Sequence, residues 1–109
     1  MNYTERKIVL NYLARINYKD GLFVIINSMR AKHKGQEQYD CMTQKDRELM
    51  LKKIVINYLV DCVSQSLIGY NVHGTTYKRI LKLKDLMNQK YDTMTDKERE
   101  IIYNKILKN

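Results

Sequence analysis

Apolar residues recur at intervals of three and four along most of this chain, the spacing that places them on one face of an α-helix. The four glycines, Gly21, Gly35, Gly69 and Gly74, fall where this periodicity breaks and predict connections between helices. The pattern therefore predicts an all-α, compact single-domain bundle of about five helices over residues 1–109, built around a long central helix. We expect no internal repeat, linker or domain boundary.

The first half of the chain is predicted to hold two helices and a long loop. The first helix is predicted to run from about Thr4, as its N-cap, to Tyr18. The run Leu22–Ile26 suits a strand or a helix, and we interpret it as helical because no second strand is available to pair with it. Its predicted apolar face consists of Leu22, Ile25, Ile26 and Met29. The segment His33–Met42 lacks periodicity and is predicted to be the longest loop.

The second half is predicted to hold three helices. Thr43 with Asp46 resembles a capping box and opens a long helix that ends at about Ile68. A further helix is predicted over about residues 75–91. The run Thr95–Glu98 is a strict capping box, and it opens the final helix.

Composition narrows the class of protein. Twenty Lys and Arg against twelve Asp and Glu give a net charge of +8, which suggests an acidic partner. The longest uninterrupted apolar run has five residues, whereas a membrane span needs about 20. The N-terminus lacks the apolar block of a signal peptide, so we expect a cytoplasmic protein that does not enter a membrane. Cys41 and Cys62 are expected to be free thiols.

The segment Val63–Lys84 carries the one recognisable motif. An apolar residue opens its first helix, another, Val72, follows a short turn, and the second helix continues with Thr76, Tyr77, Arg79 and Ile80. This arrangement resembles the helix-turn-helix of bacterial and phage DNA-binding regulators. In that comparison Leu67 is bulkier than the usual small residue, and His73 occupies the position of the usual Ser cap.

The chemistry of the second helix in this motif suits a DNA contact. Four cations within seven residues, with no acid among them, suit phosphate neutralisation, and an arginine can fork onto a guanine edge. The nucleic-acid contacts predicted here are His73, Thr75, Lys78, Arg79, Lys82 and Lys84. A secondary basic patch is predicted where the second helix ends, at Arg30, Lys32 and Lys34, where cations also favour the helix dipole. The structural alternative for the first set is the solvated face of a helix in a lysine-rich protein.

Two hypotheses follow. The first is a small helical DNA-binding protein, a helix-turn-helix regulator of phage or bacterial type, whose partner is duplex DNA and which is expected to act as a homodimer because one such helix reads few base pairs. The second is a phage-type inhibitor of a host enzyme or defence complex that binds an acidic protein surface. Its support is the nine tyrosines, four of which are predicted to lie outside the core, at Tyr3, Tyr18, Tyr39 and Tyr70.

Catalysis and metal binding find little support in the sequence. The Cys and His residues show no paired ligand spacing, and no Gly-rich phosphate loop is present. We therefore expect no enzyme activity, no metal site and no cofactor.

Overall fold

The computed structural model describes the backbone of residues 1–68 and 77–108, and the side chains of residues 1–63 and 79–108. The described backbone forms five α-helices and no strand, which confirms the predicted all-α class. The helices are α1 (Tyr3–Asn17), α2 (Val24–Cys41), α3 (Gln44–Ile68), α4 (Tyr77–Thr93) and α5 (Asp96–Lys108). The longest, α3, has 25 described residues and reaches Ile68, where the described backbone stops.

The chain groups into two compact units, whose boundary falls within α3. Unit 1 covers Met1–Leu51 and unit 2 covers Lys52–Asn109. The buried apolar side chains of unit 1 are Ile8, Val9, Leu13, Ala31, Tyr39 and Leu51, and those described in unit 2 are Val55, Val60, Tyr91, Met94 and Tyr103. The single domain expected over residues 1–109 stays a prediction.

The start of α1 differs from the prediction. Asn2, not Thr4, is the N-cap: its side chain accepts a hydrogen bond from the Glu5 N–H at 2.9 Å, and the Glu5 carboxylate accepts one from the Asn2 N–H at 3.3 Å. This reciprocal pair satisfies two backbone donors that a helix start leaves open. A cap at Asn2 therefore adds Tyr3 and Thr4 to the helix.

The predicted loop over residues 33–42 is wrong, because α2 continues to Cys41. Gly35, interpreted as a break, is buried inside α2 at its contact with α1. A Cβ at Gly35 would lie 3.1 Å from the Ala14 backbone nitrogen and 3.2 Å from the Leu13 carbonyl carbon. Glycine here allows two helices to approach closely, and that gain outweighs its poor helix propensity. Tyr39, predicted to lie outside the core, is buried.

The predicted apolar face at the start of α2 remains exposed. Leu22 is 96% exposed and Ile25 77%, and Phe23, Val24, Ile26 and Met29 are also classed as exposed. The inward face of α2 instead runs through Ala31, Gly35 and Tyr39, which recur every four residues. Because Ala31 and Gly35 are small, a pattern of large apolar residues along the sequence does not reveal this face.

One short motif ends α2 and begins α3. The Tyr39 carbonyl accepts a hydrogen bond from the Met42 N–H at 3.1 Å and two from the Arg47 guanidinium, at 3.1 Å from Nε and 2.8 Å from Nη2. The same guanidinium lies 4.1 Å from the centre of the Tyr39 ring. The Thr43 hydroxyl accepts from the Asp46 N–H, so the predicted cap of α3 is confirmed. These contacts satisfy an open carbonyl of one helix and an open N–H of the next.

Unit 2 repeats this motif between α4 and α5. The Tyr91 carbonyl accepts from the Met94 N–H at 3.2 Å and from Arg99 Nη2 at 2.7 Å, and the Arg99 guanidinium lies 4.3 Å from the centre of the Tyr91 ring. The Thr95 hydroxyl caps α5 by accepting from the Glu98 N–H at 3.2 Å, as the sequence predicts. The same chemistry therefore joins both pairs of helices.

These matching contacts reveal an internal repeat, so the expectation that the chain has none is wrong. Residues 39–48 (YDCMTQKDRE) and 91–100 (YDTMTDKERE) are identical at seven of ten positions. Residues 7–13 (KIVLNYL) and 53–59 (KIVINYL) are identical at six of seven. Arg6 directly precedes the first of these two segments and lies 5.6 Å from the centre of the buried Tyr39 ring. Lys52 directly precedes the other and lies 5.8 Å from the centre of the buried Tyr91 ring. Each unit is thus one copy of a two-helix element followed by a helix start.

Among the described residues, no helix combines the length and the hydropathy needed to cross a bilayer.

Candidate nucleic-acid interface

The predicted helix-turn-helix is described only in part. The turn, with His73 and Thr75, lies outside the described residues, and Lys78 is described as part of the α4 backbone only. The helix-turn-helix interpretation therefore stays a prediction. The described part begins at the Arg79 side chain.

Three of the predicted contacts, Arg79, Lys82 and Lys84, are exposed on the described part of α4, and Lys90 near its end is exposed as well. Arg79 and Lys82 are three residues apart and share one face of the helix. Lys84 follows Arg79 by five residues, so it lies roughly 140° further around the helix axis. The predicted basic face therefore consists of an Arg79/Lys82 edge, with Lys84 on another side of α4.

The packed side of α4 lies between these cations. Tyr91 is buried, and Ile80, Leu83 and Met87 are half-buried, whereas Leu81 is exposed. Lys52 Nζ donates to Asp92 Oδ1 at 2.8 Å and lies over the Tyr91 ring, which ties the end of α4 to the first half of α3. The α4 cations are therefore held on a helix anchored at its far end.

The secondary patch lies in the middle of α2, not at its end, because α2 continues to Cys41. The helix dipole therefore does not account for these cations, since its effect is confined to the last turn. Arg30, Lys32 and Lys34 are all exposed.

Two clefts flank α2, one on each side. Arg30 and Lys34 line a cleft of about 260 Å³, together with Asn17, Lys19, Ala31 and Asn27. Lys32 lines a cleft of about 380 Å³ on the other side, where Arg15 and Tyr18 also contribute. No acidic residue lines either cleft. Sequence reasoning missed Lys19 and Arg15 because only the fold brings them beside α2.

Two basic clusters, Arg79, Lys82 and Lys84 on α4 and Arg30, Lys32 and Lys34 on α2, lack acidic partners within the described part of the chain. The ion pairs found there are His33–Glu37, at 2.9 Å, and Lys52–Asp92. No described carboxylate lies within 4 Å of Arg30, Lys32 or Lys34 on α2, or of Arg79, Lys82 or Lys84 on α4. Their charge is therefore available to an external anion.

The internal repeat relates the two clusters. With residues 39–48 aligned on 91–100, the same offset places Arg30 on Lys82 and Lys32 on Lys84. The inward positions also correspond, since buried Ala31 and Gly35 align with half-buried Leu83 and Met87. Two positions of each basic cluster are therefore equivalent in one repeated helix, whereas Lys34 aligns with Leu86 and Arg79 aligns with Asn27.

The described residues contain no group of three His, Cys, Asp or Glu side chains arranged to hold a metal ion. Cys41 and Cys62 are free thiols, and both are exposed. No protein-family model, curated protein or solved structure matches this chain.

Proposed function

We propose that this protein binds duplex DNA through the exposed cations of α2 and α4. The observation that carries the proposal is that these side chains are solvent-exposed and have no acidic partner among the described residues. Neutralising backbone phosphates with such side chains releases condensed counterions, which is the main source of sequence-independent affinity.

The helix-turn-helix resemblance assigns the base contacts to α4. Arg79 is the side chain suited to a bidentate contact with a guanine edge, and Lys82, on the same face, is suited to a phosphate. A regulator of this type acts as a homodimer on two half-sites, and dimerisation is part of the proposal.

A salt series of binding to duplex DNA tests this function. The Arg79→Ala/Lys82→Ala variant is compared with the wild type and with Lys105→Ala/Lys108→Ala, which removes the same charge from exposed positions of α5. We expect the α4 variant to bind more weakly and to lower the slope of log K against log salt by about 0.9, because the Lys82 phosphate contact is lost, while loss of the Arg79 base contact weakens binding to the preferred sequence. Equal behaviour of the two variants, or no binding by the wild type at 50 mM salt or so, contradicts the proposal.

The second candidate function is a protein-binding inhibitor of a host enzyme or defence complex. One observation favours it: the exposed apolar residues from Leu22 to Met29, since contiguous exposed apolar surface often marks a protein interface. A stoichiometric partner that survives nuclease treatment, and is lost with Leu22→Lys/Ile25→Lys but retained with Lys105→Ala/Lys108→Ala, supports this function. A partner released by nuclease supports the DNA proposal instead.

A further inference from the structure

We infer that the protein contacts duplex DNA through two equivalent helices, one in each unit, on which Arg30 and Lys32 of α2 occupy the positions of Lys82 and Lys84 of α4. The inference rests on the proposed DNA binding and extends it: the phosphate contacts of α4 recur on α2, whereas the base-contacting Arg79 aligns with Asn27 and has no cationic equivalent.

The first support is the match between the packed faces of the two helices. Tyr39 and Tyr91 occupy the same repeat position, are both buried, and each stacks against an arginine eight residues later. Because this anchor fixes how each helix is rotated, an equal distance from the tyrosine means an equal place around the helix. Arg30 and Lys82 both lie nine residues before the anchor, and Lys32 and Lys84 both lie seven residues before it.

The second support is that basic character persists at these positions while their neighbours differ. Position 33 is His and its equivalent, position 85, is Asp; position 34 is Lys and its equivalent is Leu86. A solvated helix face has no need of cations at the same two places in both copies. Two copies of one phosphate contact account for the retained pair.

The third support is that each unit is basic by itself. Unit 1 has nine Lys and Arg against six Asp and Glu, and unit 2 has eleven against six, so their net charges are +3 and +5. Duplex DNA presents one negative charge about every 1.7 Å along its axis, so the same ligand chemistry is offered to both units. Two linked sites on one protein raise the apparent affinity above that of either alone.

The test is a salt series of duplex DNA binding with three double variants of the full chain. Arg30→Ala/Lys32→Ala removes the equivalent pair of cations from unit 1, Lys82→Ala/Lys84→Ala removes the pair from unit 2, and Lys105→Ala/Lys108→Ala is the control of equal charge. All six side chains are exposed, so circular dichroism should show the same helix content in each variant. The quadruple variant, lacking both sites, completes the set.

We expect each site variant to reduce the slope of log K against log salt by about 1.8 and the affinity at 0.1 M salt by at least about tenfold, with the quadruple variant losing both increments. The control should keep the wild-type slope. If the unit 1 variant behaves as the control while the unit 2 variant loses affinity, the two-site inference is overturned and the proposed DNA binding stands. If the wild type does not bind, both are overturned.

Discussion

The guanidinium of Arg47 lies 4.1 Å from the centre of the Tyr39 ring and also donates two hydrogen bonds to the Tyr39 carbonyl. One side chain thus binds both the ring and the backbone of a residue eight positions earlier, across the junction of α2 and α3. The same relationship recurs between Arg99 and Tyr91 at the junction of α4 and α5. This repeated contact is what identifies the chain as two copies of one element.

Arg47→Ala should lower the free energy of unfolding by about 2 kcal/mol or more. It removes charge-assisted hydrogen bonds to a carbonyl, worth roughly 1.5–3 kcal/mol, and a stacked cation. Urea unfolding followed by circular dichroism measures the loss. Lys45→Ala is the matched control, because it removes an exposed cation from the same turn of α3. Equal unfolding midpoints for the two variants contradict the structural role of Arg47.

Arg99→Ala should cost less than Arg47→Ala. Arg99 donates from Nη2 to the Tyr91 carbonyl, but its Nε is buried and finds no acceptor among the described residues. An unsatisfied buried donor costs roughly 1–3 kcal/mol of desolvation free energy, and Arg99→Ala removes part of that cost together with the side chain. The pair of variants, unfolded side by side in urea, measures the difference. A larger loss for Arg99→Ala is the opposite of what this geometry predicts.

Gly35→Ala should destabilise the protein even though alanine is the better helix former by about 1 kcal/mol. The added Cβ would meet backbone atoms of α1 at 3.1–3.2 Å, and backbone cannot move aside as a flexible side chain can. Overpacking of this kind costs roughly 1–3 kcal/mol, and Gly35→Val should cost more than Gly35→Ala.

Gly21→Ala is the control for that series. A Cβ at Gly21 meets only the side chain of Asn27, at 2.9 Å from its Nδ2, and that side chain can rotate away. Its effect should stay within about 0.5 kcal/mol. A stabilised Gly35→Ala variant contradicts the close approach of α1 and α2.

Tyr91→Phe and Tyr39→Phe make the same chemical change at equivalent positions, yet they should differ in effect. The Tyr91 and Tyr103 hydroxyls are joined by a buried hydrogen bond of 3.2 Å, worth about 1 kcal/mol. Among the described residues, the Tyr39 hydroxyl donates to the Met1 sulfur at 3.7 Å, and this sulfur is a weak acceptor. Thermal unfolding should therefore show a lower Tm for Tyr91→Phe than for Tyr39→Phe. An equal decrease in Tm for the two variants would contradict a stabilising hydrogen bond between the Tyr91 and Tyr103 hydroxyls.

Signals confined to one turn could be predicted from the sequence. The caps at Thr43 and Thr95 could be predicted because a capping box needs only a hydroxyl, an acid three residues later and helical spacing after it. These features depend on neighbours in the chain.

Features that depend on a distant partner could not be predicted in the same way. Gly35 ends a helix or sits inside a helix contact according to whether another backbone approaches it, and only the fold places Leu13 and Ala14 there. For the same reason the sequence predicts that the second helix ends near residue 33 and that its cations lie at that end, whereas α2 continues to Cys41. The repeat is present in the sequence, but the helical spacing of apolar residues is a local pattern and does not relate segments 46 or 52 residues apart.

The most direct measurement of the central claim is a nuclear magnetic resonance titration of the isotope-labelled full chain with a short duplex DNA. DNA binding through the two repeated basic helices predicts that the backbone amide shifts concentrate around residues 30–34 of α2 and 79–84 of α4, and that they shrink as salt is added. The amides of Lys105 and Lys108 on α5, whose side chains are also basic and exposed, should change little. Shifts spread evenly over all exposed lysines, or absent from both basic clusters, would contradict it.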